Sequence, residues 1–238
     1  MKYFSIEKIN RAIRAIVENN VTQEHVTSRA ASELARHYFN NKIYTIVPEQ
    51  IQTVTLKRPD YVIEKFFPNN PVSLWFIPHA FIEVKSLVGK DIAHIVDQLH
   101  DTVFAAMDYW GNHTGNFSAF MIGIKGTKIA FYTYHNLSSL LDDYSIFNYR
   151  GLIPLNYVIS PDLFFEINAD HPLKEALYER YIRNMNFETN HHNLSQKGVL
   201  GIEKIPFPHI FDLQDIRHRE DIHNMYVYIA SNTANFIA

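Results

Sequence analysis

The sequence of 238 residues contains no cysteine. This absence excludes disulfides, thiolate zinc sites and cysteine nucleophiles, and it favours a reducing compartment. No apolar run approaches the ~20 residues that a membrane-spanning helix needs, so we expect no membrane association. The first eight residues carry charges where a signal peptide needs an apolar run, and the expected location is therefore cytoplasmic.

The chain also lacks a strong net charge, with a formal value of −3 and a pI near 6.5. Such a balance argues against a protein that coats nucleic acid by bulk electrostatics, although a cleft with a local basic rim stays compatible with it. No glycine-rich phosphate loop of the ATPase type is present, which excludes a nucleotide-driven motor of that class within this chain. Forty-seven per cent hydrophobic residues and 20% charged residues describe an ordinary globular domain.

Hydrophobic periodicity and turn residues predict the secondary structure. The predicted helices are residues 6–19, 22–39, 91–107, 172–185 and 212–224. The predicted strands are 42–47, 50–55, the segment after Asp60, a long segment over 73–86 that Pro78 bends or bulges, a glycine-turn hairpin over 119–134, and 225–229. We therefore expect residues 1–150 to form an α/β core with an N-terminal helical pair, and residues 151–238 to pack on it as an extension of one domain.

Two segments combine charge with strand-forming residues, namely residues 58–63 and 81–86. Because side chains alternate along a strand, Glu83 and Lys85 should point to one face and Val84 to the other. A carboxylate and an ammonium between buried apolar residues are costly to desolvate unless something pairs with them. A divalent metal ion held by Asp60 and Glu83, with Lys85 beside it, would relieve this cost.

The pattern Pro59-Asp60 followed by Glu83-x-Lys85 resembles the signature of the PD-(D/E)XK nuclease superfamily, over residues 30–135. The resemblance implies a restriction-endonuclease-like α/β core, in which helices flank a central mixed β-sheet. Gln98 on the following helix resembles the glutamine of the branch that includes recombination exonucleases and several resolvases. That branch often has a tyrosine one helical turn later, where this chain has Thr102.

The resemblance implies an Mg²⁺- or Mn²⁺-dependent endonuclease that hydrolyses DNA, and many members of the superfamily act as homodimers. The implied catalytic residues are Asp60, Glu83, Lys85 and Gln98. The implied metal ligands are Asp60, Glu83 and the main-chain carbonyl of Val84, with Glu33 as a further acid from the helix before the sheet. Basic residues near the motif strands and at the hairpin tip are candidates for phosphate contacts: Lys57, Arg58, Lys90, Lys125 and Lys128.

Other interpretations of the same residues stay open. Glu83 and Lys85 could form a structural salt bridge on an exposed strand, with Asp60 only ending a turn. An RNA endonuclease of the cap-snatching type would recruit His37 to the metal ion. A third alternative is a non-catalytic nucleic-acid-binding or interaction domain that keeps the nuclease fold.

Overall fold

The computed structural model describes residues 1–18, 24–48, 59–68, 76–88, 118–135, 152–156 and 210–232, together with Ile95, Gln98, Leu99, Asp170 and Glu175. The helices are α1 (Glu7–Glu18), α2 (Glu24–Tyr38) and α3 (Arg219–Ser231), and 3-10 turns occur at Tyr3–Ser5 and Ile216–His218. The strands are β1 (Tyr44–Pro48), β2 (Tyr61–Phe66), β3 (Phe76–Lys85), β4 (Ser118–Lys125), β5 (Lys128–His135), β6 (Leu152–Pro154) and β7 (Phe211–Asp212). Within these ranges, every helix is too short or too polar to cross a bilayer.

The described strands form one mixed sheet in the order β1-β2-β3-β4-β5-β6, and β7 pairs with the other end of β5. Strands β1, β2 and β3 form an antiparallel meander, whereas β3 and β4 run parallel. Parallel neighbours require a crossover connection. The described residues of that connection, Ile95, Gln98 and Leu99, are helical, and the fold is therefore α/β.

Apolar side chains cover both faces of the sheet. On one face, Ile82 and Val84 of β3 pack with buried residues of α1, α2 and α3. On the other face, Phe81 packs with Ile95 and Leu99 of the crossover. The side chains of β3 thus alternate between two buried layers, which accounts for the burial of nearly the whole strand.

The predicted bend at Pro78 is a register shift in the sheet. Ile63 pairs with Ala80 and Glu64 pairs with Pro78, so that the register skips His79. The His79 side chain is buried and its Nε2 atom donates a hydrogen bond of 2.8 Å to the carbonyl of Ile229 in α3. This bond ties the C-terminal helix to the central strand.

The N-terminal helix pair and the glycine-turn hairpin are confirmed, with helix ends one or two residues inside the predicted limits. The predicted strand at 225–229 is wrong, because these residues belong to α3. Four of the buried α3 side chains recur at helical spacing and join the core of α1 and α2: Ile222, Met225, Tyr226 and Ile229. Tertiary packing therefore overrides the strand preference of the Tyr-Val-Tyr-Ile run. The predicted strand at 50–55 lies outside the described residues, and Glu175 is the described, helical residue of the segment 172–185.

Candidate metal and phosphate site

The start of β2 and the end of β3 bring two carboxylates side by side. Tyr61 pairs with Ile82, so the next position of this antiparallel register sets Asp60 opposite Glu83. Opposed residues of such a pair have Cα atoms about 5 Å apart. The Oδ2 atom of Asp60 accepts a hydrogen bond of 2.6 Å from the amide nitrogen of Val84, which fixes Asp60 against the end of β3.

The ammonium group of Lys85 lies among oxygen atoms. Its Nζ is 2.8 Å from Glu83 Oε1, and it donates a hydrogen bond of 2.9 Å to the carbonyl of Val84. A third oxygen, Oε2 of Glu24, lies 3.7 Å from the same Nζ. Glu24, Asp60, Glu83 and Lys85 together are called the acid–lysine cluster below.

Burial shapes the electrostatics of this cluster. Glu83 is only 5% exposed, and burial together with the Asp60 charge raises the pKa of Glu83 to about 7 despite the opposing effect of Lys85. Burial lowers the pKa of Lys85, but its hydrogen bond to Glu83 and the surrounding carboxylates outweigh that effect, so the pKa of Lys85 is raised. At neutral pH the lysine is therefore charged, while Glu83 is close to its titration midpoint.

The helix before the sheet does supply an acid to the cluster, but this acid is Glu24 and not the expected Glu33. Glu33 instead forms ion pairs with Lys8 at 2.8 Å and with Arg36 at 3.7 Å. Nine residues separate the two glutamates, which is two and a half helical turns, so they point to opposite sides of α2. Helical periodicity would have shown that only one of them can face the strand ends.

Gln98 belongs to the helix that covers the same face of the sheet as Glu83. Glu83 pairs with Gly123, and a Cβ atom at Gly123 would lie 3.0 Å from Ile95 Cγ2 and 3.3 Å from Leu99 Cδ1. The helix thus lies directly on the strand beside Glu83, since neighbouring residues in register point to one face. The Oε1 atom of Gln98 is buried and has no hydrogen-bond partner among the residues that the structure describes.

The predicted phosphate contacts are only partly described. Lys125 is the register neighbour of Lys85, and its Nζ donates a hydrogen bond of 2.9 Å to the carbonyl of Leu87. Lys128 forms an ion pair of 2.8 Å with Asp212. Both lysines at the hairpin tip therefore connect the hairpin to other segments, Lys125 to the residues after β3 and Lys128 to β7. Lys57, Arg58 and Lys90 lie outside the described residues.

His37 is not brought to the acid–lysine cluster. Its Nε2 atom is hydrogen bonded to the carbonyl of Met1 at 2.8 Å. It stands thirteen residues after Glu24 on α2, a distance of about 20 Å along the helix axis. Direct ligation needs the histidine nitrogen within roughly 2.2 Å of the ion, so the geometry removes the support for His37 as a ligand of an ion at Glu83.

The donors of the cluster suit a hard cation, because they are carboxylate oxygens and one main-chain carbonyl. The contacts of the Lys85 ammonium with Glu83 and Val84 already show these oxygens around a positive charge. Among the residues that the structure describes, no group of three or more His, Asp or Glu side chains is arranged closely enough to hold a metal ion.

Comparisons of the chain with protein-family models, with curated proteins and with solved structures find no match.

Proposed function

We propose that this protein is a metal-dependent nuclease with a restriction-endonuclease-like core, and that it hydrolyses phosphodiester bonds of DNA. The observation that carries the proposal is the convergence of Asp60, Glu83 and Lys85 at the adjoining ends of β2 and β3. The order of elements also supports it, because an antiparallel meander is followed by a helical crossover to a parallel strand. This order agrees with the nuclease core that the motif implies.

The ligands of the proposed ion are Asp60, Glu83 and the carbonyl of Val84. Glu24, whose carboxylate lies near the Lys85 ammonium, adds a further negative charge beside them. When bound, Mg²⁺ or Mn²⁺ would neutralise the charge that develops on the phosphate and lower the pKa of a water molecule. The desolvation of Glu83 gives a physical reason for binding, since a buried carboxylate beside Asp60 gains from any added positive charge.

Hydrolysis forms a bond from a water oxygen to phosphorus, breaks the bond to the leaving oxygen and moves a proton from water to a base. The pKa of about 7 belongs to Glu83 in the metal-free protein; a bound cation would lower it, so Glu83 would serve as a ligand and the proton would pass to a base in the surrounding solvent. Lys85 remains protonated, so its role is to orient the water and to stabilise the negative charge of the transition state. Gln98 would hold the water or a phosphate oxygen through its amide.

The test is cleavage of supercoiled plasmid DNA and of single-stranded RNA with Mg²⁺, with Mn²⁺ and with EDTA. Wild-type protein is compared with Asp60→Asn, Lys85→Ala and the matched control Lys42→Ala, which removes an exposed lysine that, among the described residues, has no contact with the cluster. We expect metal-dependent products from wild type and control, and a loss of about 10²-fold or more in both cluster variants. Equal products from all four proteins would remove the proposal.

The rival interpretation is a binding domain that keeps the nuclease fold without turnover. In that case the wild type would retain labelled nucleic acid in EDTA and give no products with either metal ion. Parallel DNA and RNA substrates also decide between the two kinds of nuclease. RNA cleavage that survives Asp60→Asn would point to another site altogether.

A further inference from the structure

A second candidate surface lies between the two N-terminal helices. A cleft of about 670 Å³ opens between α1 and α2, and Tyr61 of β2 closes one side of it. Small residues of both helices, such as Ala12 and Ser32, line this space. Its volume falls within the range of volumes of ligand-binding clefts. It is called the α1–α2 cleft below.

The charge of this cleft is opposite to that of the whole chain. Its lining includes four permanent cations and a single acid, Glu33, whereas the chain carries −3. The cations are Lys8, Arg11, Arg29 and Arg36, and His25 adds a titratable group. A concave surface of one sign raises the local concentration of oppositely charged ligands.

These cations differ in how far they are already neutralised. Lys8 and Arg36 share Glu33, and Arg11 pairs with Glu7 at 2.7 Å. Arg29 is exposed at the cleft and forms no ion pair with any residue that the structure describes. It is therefore the cation that can bind an anionic ligand without first breaking an ion pair.

The uncharged lining also suits a phosphate backbone, since serine and tyrosine hydroxyls are common phosphate contacts beside arginine and lysine. Ser28 and Ser32 stand one helical turn apart on α2, and the Ser28 hydroxyl is hydrogen bonded to the Tyr61 hydroxyl at 2.5 Å. His25, at one end of the cleft, directly follows Glu24, whose Oε2 atom lies 3.7 Å from Lys85 Nζ. This end of the cleft therefore lies beside the acid–lysine cluster.

We propose that the α1–α2 cleft binds the sugar–phosphate backbone of the nucleic acid that is cut at the acid–lysine cluster. This inference rests on the nuclease function proposed above. Along α2 the cleft extends from His25 to Arg36, about 16 Å, which is the length of about five nucleotides in one strand of a duplex. Arg29 contacts a phosphate directly, and Glu33 restrains Lys8 and Arg36 from doing so.

The experiment measures binding of a fluorescently labelled duplex DNA by anisotropy, in EDTA, over a range of salt concentrations. Arg29→Glu is compared with Arg14→Glu, which reverses an exposed charge on α1 outside the cleft. We expect about ten- to a hundredfold weaker binding for Arg29→Glu. The slope of log K against the logarithm of the salt concentration should also become less steep by about one, the value for one lost phosphate contact. Arg14→Glu should change binding little, because exposed charges beyond the contact are screened. Glu33→Gln should strengthen binding, since it releases two cations.

Three results would overturn the inference. The first is equal binding by Arg29→Glu and Arg14→Glu, and the second is weaker binding by Glu33→Gln. The third is polyglutamate competing as well as DNA in an Arg29-dependent way, which would assign the cleft to an acidic polypeptide. An RNA probe in parallel shows whether the sugar matters. Cleavage that needs Asp60 but not Arg29 would refute the cleft alone, whereas a wild type that neither binds nor cleaves would refute both proposals.

Discussion

Replacing Glu83 by glutamine should stabilise the metal-free protein, and the gain should grow with pH. Glutamine keeps the size of the side chain and removes a charge that is buried beside Asp60. The folded-state pKa of about 7 is above the ordinary 4.5, so the folded state holds its proton more tightly than the unfolded chain does. The contribution of Glu83 to stability is therefore greatest below pH 4.5 and is lost as pH rises towards 7.

The size of the effect follows from the same pKa values. One unit of pKa difference corresponds to about 1.4 kcal/mol. By the linkage relation, the free energy of unfolding of the wild type falls by roughly 2 kcal/mol between about pH 5 and about pH 8. Lys85 keeps its charge throughout this interval because its pKa is raised. Other buried titrating groups, such as Asp221, are common to both proteins and cancel in the comparison.

The assay is urea unfolding of wild type and Glu83→Gln in EDTA at about pH 5 and about pH 8, with the free energy of unfolding extrapolated to water. The advantage of the variant should increase by roughly 2 kcal/mol between the two pH values. Glu18→Gln, which changes a carboxylate exposed at the end of α1, should show the same small difference at both. An advantage of Glu83→Gln that stays constant or shrinks as pH rises would refute the burial argument.

Three further substitutions test other contacts. Gly126→Ala should lower the free energy of unfolding by about 1–3 kcal/mol and thereby lower the melting temperature, because Gly126 has φ 56° and a Cβ there would lie 2.9 Å from the Leu87 Cα atom. An unchanged melting curve would contradict this. Tyr61→Phe should cost about 1 kcal/mol in urea unfolding, since it removes the hydroxyl that bonds to the Ser28 side chain and carbonyl, and equal midpoints would argue against that bond. Asp221→Asn should stabilise the protein more at about pH 8 than at about pH 4, because burial raises the pKa of the 1% exposed Asp221 to about 6; the reverse order in thermal unfolding would contradict the assignment.

The local parts of this structure could be predicted from the sequence. Strand-forming residues predicted the strand that carries Glu83 and Lys85, and Pro78 predicted the irregular register of β2 and β3. The turn at Gly126 follows from a conformation that glycine adopts readily. These features depend on neighbours in sequence, so a local pattern is sufficient to indicate them.

Features that depend on long-range packing could not be predicted in this way. Glu24 and Glu33 are both polar residues of one helix, and only the approach of the α2 N-terminus to the end of β3 makes Glu24 the member of the cluster. The α3 segment from Met225 to Ile229 has strand-forming residues, yet it is helical because its buried side chains pack on α1 and α2. The basic cleft arises from two helices whose charges look like ordinary solvated faces in the sequence.

Anomalous diffraction from crystals soaked in Mn²⁺ tests the central claim most directly. We expect a peak between the Asp60 and Glu83 carboxylates, within about 2.5 Å of an oxygen from each, and displacement of the Lys85 ammonium from its present contact with Glu83. Soaked crystals that show no peak there, with Lys85 still bound to Glu83 and Val84, would contradict the metal site and leave the cluster a structural salt bridge.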